Sequence, residues 1–139
     1  MLDARKLARI HRVRTLQLGL SQADEARANQ RVASETALAQ RIGQLAAAVA
    51  PVPEASAGFS MAASAYYRER LVQSAAAADA RVRTAEGSAQ RAAEATRAAK
   101  RDQTAVEKLI ERADAVAMIK EMRALEETPP ARKNRHDPC

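Results

Sequence analysis

Small apolar residues recur every three or four positions through residues 71–117. This spacing places side chains on one face of a helix, and its persistence over so many turns predicts a coiled-coil seam. Only Thr96 and Gln103 interrupt it with polar side chains. The predicted seam positions are Leu71, Ala75, Ala78, Val82, Ala85, Ala89, Ala92, Thr96, Ala99, Gln103, Val106, Ile110, Ala113 and Ala117. Since one helix cannot bury such a face by itself, a partner helix is required.

The composition argues against a globular core. Aromatic side chains are limited to Phe59, Tyr66 and Tyr67, and much of the apolar fraction is alanine. Alanine is a strong helix former but buries little surface. We therefore predict an all-α protein with a narrow seam.

Proline and glycine divide the chain into two helices. Helix one is predicted over about residues 2–49 and helix two over about residues 61–127, joined by a turn in residues 50–60 that contains Pro51 and Pro53. Ser60 is the expected N-cap of helix two. The remaining residues, 128–139, form a basic tail predicted to be disordered. The apolar stripe predicted for helix one comprises Leu7, Ile10, Val13, Leu16 and Leu20, followed by Leu38, Ile42, Leu45 and Val49.

Two long helices joined by a short turn predict one domain over residues 1–127, a long antiparallel two-helix coiled-coil hairpin. If the turn centres near Ala55, facing residues have numbers that add to about 110, and Leu38 faces Ala75. Large side chains of helix one would then face small ones of helix two. Helix two would extend beyond its partner after about Ile110. The apolar residues exposed there are predicted to dock another protein, and they are Val116, Ile119, Met122 and Leu125.

The net charge of +6 is concentrated in the first helix, which begins with Arg5, Arg9 and Arg12. Such a basic helix end fits nucleic acid, anionic lipid or an acidic protein surface, and is as common on coiled coils without those partners. The lone cysteine, Cys139, excludes an intramolecular disulfide, and no apolar run is long enough for a membrane span. These features predict a cytoplasmic protein without a transmembrane segment.

The motifs of enzymes are missing. There is no glycine-rich phosphate loop, and His11 and His136 lack the spacing of metal ligands. A two-helix hairpin also encloses no pocket for a substrate. We therefore predict a non-enzymatic interaction protein that needs no metal or other cofactor.

Two segments of helix two resemble the FliJ/YscO family. They are Ala65-Tyr66-Tyr67-Arg68-Glu69-Arg70-Leu71 and the later Glu107-Lys108-Leu109, in a hairpin of the family's size with a basic opening helix. The resemblance implies a component of a type III protein export apparatus, most readily the flagellar one, with the injectisome as the alternative. It further implies a stalk that inserts the end bearing both termini into the pore of the hexameric export ATPase. The resemblance also implies contact with the cytoplasmic domain of the export gate, and for some members with export chaperones.

These implications assign residues to two partners. Arg5, Arg9 and Arg12, with the exposed apolar residues of helix two, are expected to bind the ATPase. Tyr66, Tyr67 and Leu71 are expected to meet the export gate. The alternative is that the exposed tyrosine only covers the turn near Phe59. Two other classes stay open, a generic structural coiled coil and a nucleic-acid-binding protein. The second is disfavoured, because helix two is nearly neutral and aromatic side chains for base stacking are scarce.

Overall fold

The computed structural model describes residues 3–49 and 58–129. They form helix α1, Ala4–Ala48, and helix α2, Gly58–Glu126. The two helices pack together, and the described residues contain no strand. The predicted all-α two-helix hairpin is therefore confirmed. Most of the predicted turn, residues 50–57, lies outside the described residues.

The ends of the helices follow from local hydrogen bonding. Asp3 caps α1, because its carboxylate accepts a hydrogen bond from the backbone N–H of Arg5 at 3.3 Å. After the end of α2, the Thr128 hydroxyl donates a hydrogen bond to the carbonyl of Ala124 at 2.8 Å, and Pro129 follows directly. Ser60 lies inside α2, so its prediction as N-cap was wrong. Residues 130–139 lie outside the described residues, and the disorder of the tail stays a prediction.

The chain divides into two compact units. The terminal unit contains residues 1–15 and 101–139, and the loop unit contains residues 16–100. Each unit includes a part of α1 and a part of α2.

In the loop unit, α2 packs through the residues that its sequence predicts. Ala78 and Ala85 are 0% and 5% exposed. The other predicted seam positions of this unit are half-buried: Leu71, Ala75, Val82, Ala89, Ala92, Thr96 and Ala99. The alternation of four and three residues on α2 is thus confirmed as the contact face of this unit.

The contact face predicted for α1 was only partly right in the loop unit. Ile42 and Val49 are half-buried as predicted, whereas Leu38 and Leu45 are 43% and 55% exposed. Leu18 is buried, at 7% exposure, whereas Leu16 and Leu20 are 70% and 66% exposed. A displacement of two residues rotates a side chain by about 200° around a helix, so these two leucines point away from the face that carries Leu18. Beyond Leu18 the contact face of α1 combines small, polar and β-branched apolar side chains. Its next half-buried positions are Ser21, Glu25, Ala28, Val32, Glu35, Ala39, Ile42, Ala46 and Val49.

The helix register also differs from the prediction. In the loop unit, Arg81 Nε donates to Glu35 Oε2 at 3.2 Å, and in the terminal unit Arg14 pairs with Asp102 at 3.1 Å. The residue numbers of both pairs add to 116, about one heptad more than predicted, so Leu38 does not face Ala75. The register was predicted wrongly because the seam positions repeat every seven residues. Sliding one helix by seven residues returns every seam position to the seam, so apolar spacing cannot choose between these registers.

Candidate functional site

The terminal unit combines a small apolar contact with a group of polar side chains. Leu7 of α1 and Val106 of α2 are buried, at 3% and 8% exposure. Ile110 and Ala113 are half-buried and continue the α2 seam, as predicted. Ile10 and Val13 were predicted to lie on the contact face of α1, but they are 38% and 53% exposed. The contact face of α1 is therefore shifted toward polar residues in this unit too.

Those polar residues hydrogen-bond across the two helices. Gln103 is buried, and its Nε2 donates to the hydroxyl of Thr15 at 3.2 Å. The Thr15 hydroxyl in turn donates to the backbone carbonyl of His11 at 2.9 Å. The His11 side chain also contacts α2, since its Nε2 lies 3.3 Å from Glu107 Oε1. This group, which we call the polar cluster, also includes the ion pair of Arg14 with Asp102. The buried amide is thus satisfied, which burial in a seam demands.

The predicted docking residues are exposed at the end of α2. Every residue from Asp114 to Pro129 is exposed, including Ala117, whose predicted seam position was wrong. Large apolar side chains in this segment are half or more exposed: Val116, Met118, Ile119, Met122 and Leu125. We call residues 114–126 the free end of α2, because no seam position within it is covered by α1.

The apolar side chains of the free end do not form one straight stripe. Each step of three residues advances about 300° around a helix, so Val116, Ile119, Met122 and Leu125 spread over about half of its circumference. Val116 and Ile119 line a shallow depression with Lys120 and Arg123. Met118, which the sequence analysis did not single out, shares a different face with Met122 and Leu125. The free end therefore presents apolar surface in several directions.

The three predicted arginines lie on the outer face of α1. Arg5, Arg9 and Arg12 are exposed, and their spacing of four and three residues keeps them on one face. That face is about 150° from the face of Leu7. None of the three forms an ion pair with any residue that the structure describes. Arg14, the next arginine, faces α2 instead.

The tyrosines form a separate exposed surface in the loop unit. Tyr66 and Tyr67 are 58% and 63% exposed, and their ring centroids are 6.1 Å apart in an edge-to-face arrangement. The guanidinium carbon of Arg70 lies 5.9 Å from the centroid of the Tyr66 ring, within range of a cation–π contact. Leu71 is half-buried in the α2 seam, one turn after Tyr67. The structure therefore places Leu71 at the edge of the tyrosine surface.

Metal binding and membrane insertion were the two other properties that the described residues could show. Within residues 3–49 and 58–129, no group of three or more His, Cys, Asp or Glu side chains is placed to hold a metal ion. Neither α1 nor α2, as far as each is described, is long and apolar enough to cross a membrane.

Comparison with known proteins gives no further guide to function. No family model, no curated protein and no solved structure matches the chain.

Sequence reasoning missed the polar cluster and Met118. His11 was considered only as a metal ligand, and Gln103 only as an interruption of the seam. The usable signal was the position of Gln103, since a polar side chain at a seam position requires a hydrogen-bond partner on the facing helix. A search of helix one for donors and acceptors in place of large apolar residues would have found Thr15.

Proposed function

We propose that this hairpin is a non-enzymatic component of a bacterial flagellar type III protein export apparatus. It would act in the cytoplasm as a coiled-coil stalk, peripheral to the export apparatus in the membrane. The observation that carries the proposal is the free end of α2, where Ile119 and Met122 are more than half exposed. Apolar surface concentrated at one place on a helix marks a site for a partner.

The distribution of that surface favours a partner that surrounds the helix. The apolar side chains of the free end cover about half of its circumference, and the outer face of α1 carries Arg5, Arg9 and Arg12. A flat protein surface would cover only one side of such an end. The pore of a hexameric export ATPase would cover all sides, with the arginines at the rim of the contact. This matches the partner that the FliJ/YscO resemblance implies.

The tyrosine surface supplies a second contact of the proposed stalk. Tyr66 and Tyr67 are exposed side by side, and arginine and tyrosine are enriched at the energetic centres of protein interfaces. We assign this surface, with Arg70 and the edge residue Leu71, to the cytoplasmic domain of the export gate. Export chaperones are a further class of partner, to which we assign no specific residue.

The test of the ATPase contact is the double variant Ile119→Ser, Met122→Ser. Both side chains are exposed, so circular dichroism should show intact helices, while stimulation of the partner ATPase should fall by about tenfold or more. The control is Leu20→Ser, which changes a still more exposed apolar residue of the loop unit and should leave stimulation normal. Intact stimulation by the double variant would contradict the proposal.

The same assay separates the flagellar from the injectisome system. The protein should stimulate the flagellar export ATPase and not its injectisome counterpart, and the opposite result would transfer the proposal to the injectisome.

The gate contact is tested with Tyr66→Ala and Tyr67→Ala, which should weaken binding to the gate domain. Val72→Ala, also exposed, is the control. Unchanged binding for both tyrosine variants would remove the gate from the proposal.

A further inference from the structure

One face of the free end of α2 alternates acidic and apolar side chains. Asp114, Met118, Glu121 and Leu125 follow at intervals of four, three and four residues, which keeps them on one face. All four are exposed, and neither acid forms an ion pair with a described residue. Residues 114–127 as a whole hold four acidic and two basic side chains. This face therefore fits a helix that is basic and partly apolar.

The start of α1 has that complementary character. Residues 3–15 hold five Arg or Lys side chains and one Asp. Arg5, Arg9 and Arg12 share the outer face, and Val13, more than half exposed, lies beside them. Both surfaces belong to the terminal unit. The chain thus carries both halves of a possible contact between helices.

The spacing of the charges on the two faces is the same. Asp114 and Glu121 are seven residues apart, and so are Arg5 and Arg12. A parallel alignment that sets Asp114 beside Arg5 also sets Glu121 beside Arg12. In that register the aliphatic stem of Arg9 covers Met118. Two ion pairs and one apolar contact therefore form together.

This alignment cannot form within one chain. The ion pairs of the structure show that α1 and α2 run antiparallel, whereas the alignment of the charges requires parallel helices. We infer that the outer face of α1 receives the free end of α2 from a second copy of the chain. A two-fold axis would make the contact reciprocal, so that each copy covers the free end of the other.

The inferred dimer goes beyond the proposed function and does not depend on it. Exposed ion pairs contribute little to affinity but raise association rates and weaken with salt. The dimer should therefore be weak, favoured by low ionic strength, and dissociated by a partner that occupies the free end. An ATPase ring around the free end would compete directly with the second copy.

The experiment is sedimentation equilibrium of the full chain over a range of protein and salt concentrations. The wild-type protein should dimerise at low salt and dissociate as salt is raised. Arg5→Glu with Arg12→Glu should raise the dissociation constant by about tenfold or more, and so should Asp114→Arg with Glu121→Arg. Combining all four substitutions restores both charge pairs and should restore the dimer. The control is Arg83→Glu with Arg97→Glu, exposed in the loop unit, which should leave the dimer intact.

Two results would overturn the inference. One is a wild-type protein that stays monomeric at low salt up to the highest soluble concentration. The other is a fourfold variant that is helical by circular dichroism and still monomeric, which would show that the charges do not meet in the inferred register. No ATPase is present in the measurement, so either result leaves the proposed function standing.

Discussion

The loop unit and the terminal unit join the same two helices by different means. In the loop unit α2 contributes mostly alanine, with Ala78 and Ala85 buried. In the terminal unit the buried seam residues are Gln103 and Val106, and Gln103 is hydrogen-bonded to Thr15 of α1. An alanine seam lets helices approach closely, but alignments that differ by one heptad bury equivalent side chains. A seam with a buried amide distinguishes these alignments, because only one of them places the amide beside its hydrogen-bond partner.

The difference indicates where the register of the pair is specified. A polar side chain at a single seam position commonly fixes the alignment of a coiled coil at some cost in stability. The polar cluster joins the two helices through His11, Arg14 and Thr15, and it contains the buried amide of Gln103. In the loop unit Arg81 pairs with Glu35, and both of these side chains are partly exposed. We therefore expect the polar cluster to determine alignment, and apolar burial to determine stability in both units.

The largest expected effect comes from truncating a buried leucine. Leu18→Ala should lower the free energy of unfolding by about 2–3 kcal/mol, near the bottom of the range for leucine in globular cores, because the surrounding seam is thin. Leu7→Ala in the terminal unit should have a similar cost. Urea denaturation followed by circular dichroism measures both.

Leu20→Ala is the matched control for Leu18→Ala. It removes the same atoms two residues away from a side chain that is 66% exposed, so we expect a change within about 0.5 kcal/mol. Equal costs for the two variants would show that the two leucines are equally buried in solution, and would contradict the contact face described for α1.

A smaller effect on stability, but a change in alignment, is expected for Gln103→Leu. Leucine removes the hydrogen bond to Thr15 and adds apolar burial, so the free energy of unfolding should change by no more than about 1 kcal/mol. Alignment is read by disulfide trapping in a Cys139→Ser background. Ala28→Cys with Ala89→Cys reports the observed register, and Ala28→Cys with Thr96→Cys reports the register shifted by one heptad.

The protein with Gln103 intact should trap only the first cysteine pair. The Gln103→Leu variant should trap both pairs, because the buried amide no longer penalises the shifted alignment. If the variant traps only the first pair, the polar cluster is not what fixes the register, and the comparison between the two units loses its main consequence.

The smallest effects are expected at two glycines of α1. A Cβ atom added at Gly19 or at Gly43 would meet nothing within 4 Å, and both residues lie inside the helix. Each Gly→Ala change should therefore stabilise the protein by about 0.5–1 kcal/mol. Thermal unfolding measures the gain. A loss of stability at Gly19 would mean that this position is packed against something in solution.

The sequence predicted α2 far better than α1. On α2 the seam residues are small and apolar and their neighbours are charged, so hydrophobic spacing identifies the contact face from Leu71 to Ala113. On α1 the largest apolar residues, such as Leu16, are not the ones that pack. Hydrophobic spacing assumes that large apolar residues face the partner. That assumption also fails within the terminal unit, where Gln103 and Asp102 of α2 bind Thr15 and Arg14 of α1.

The candidate site was predicted in part for the same reason. The positions of the prolines in the sequence reveal that helix two is longer than helix one. This difference in length predicts the exposure of the residues near the end of helix two, which are Val116, Ile119, Met122 and Leu125. The register could not be predicted, because it depends on the pairing of individual polar groups. Arg14 shows this limit: it looks like Arg12 in the sequence, but it pairs with Asp102.

The thinness of the seam has a calorimetric consequence. Among the described residues, the buried apolar side chains are Leu7, Leu18, Ala78, Ala85 and Val106, and none of the large ones is fully buried. The heat capacity of unfolding arises mainly from hydration of newly exposed apolar surface, and here little such surface is hidden to begin with. Its value per residue should fall below the roughly 12–15 cal/mol/K typical of globular domains. The stability of this hairpin should accordingly vary little between cold and warm conditions, and its helices should melt over a broad span of temperature.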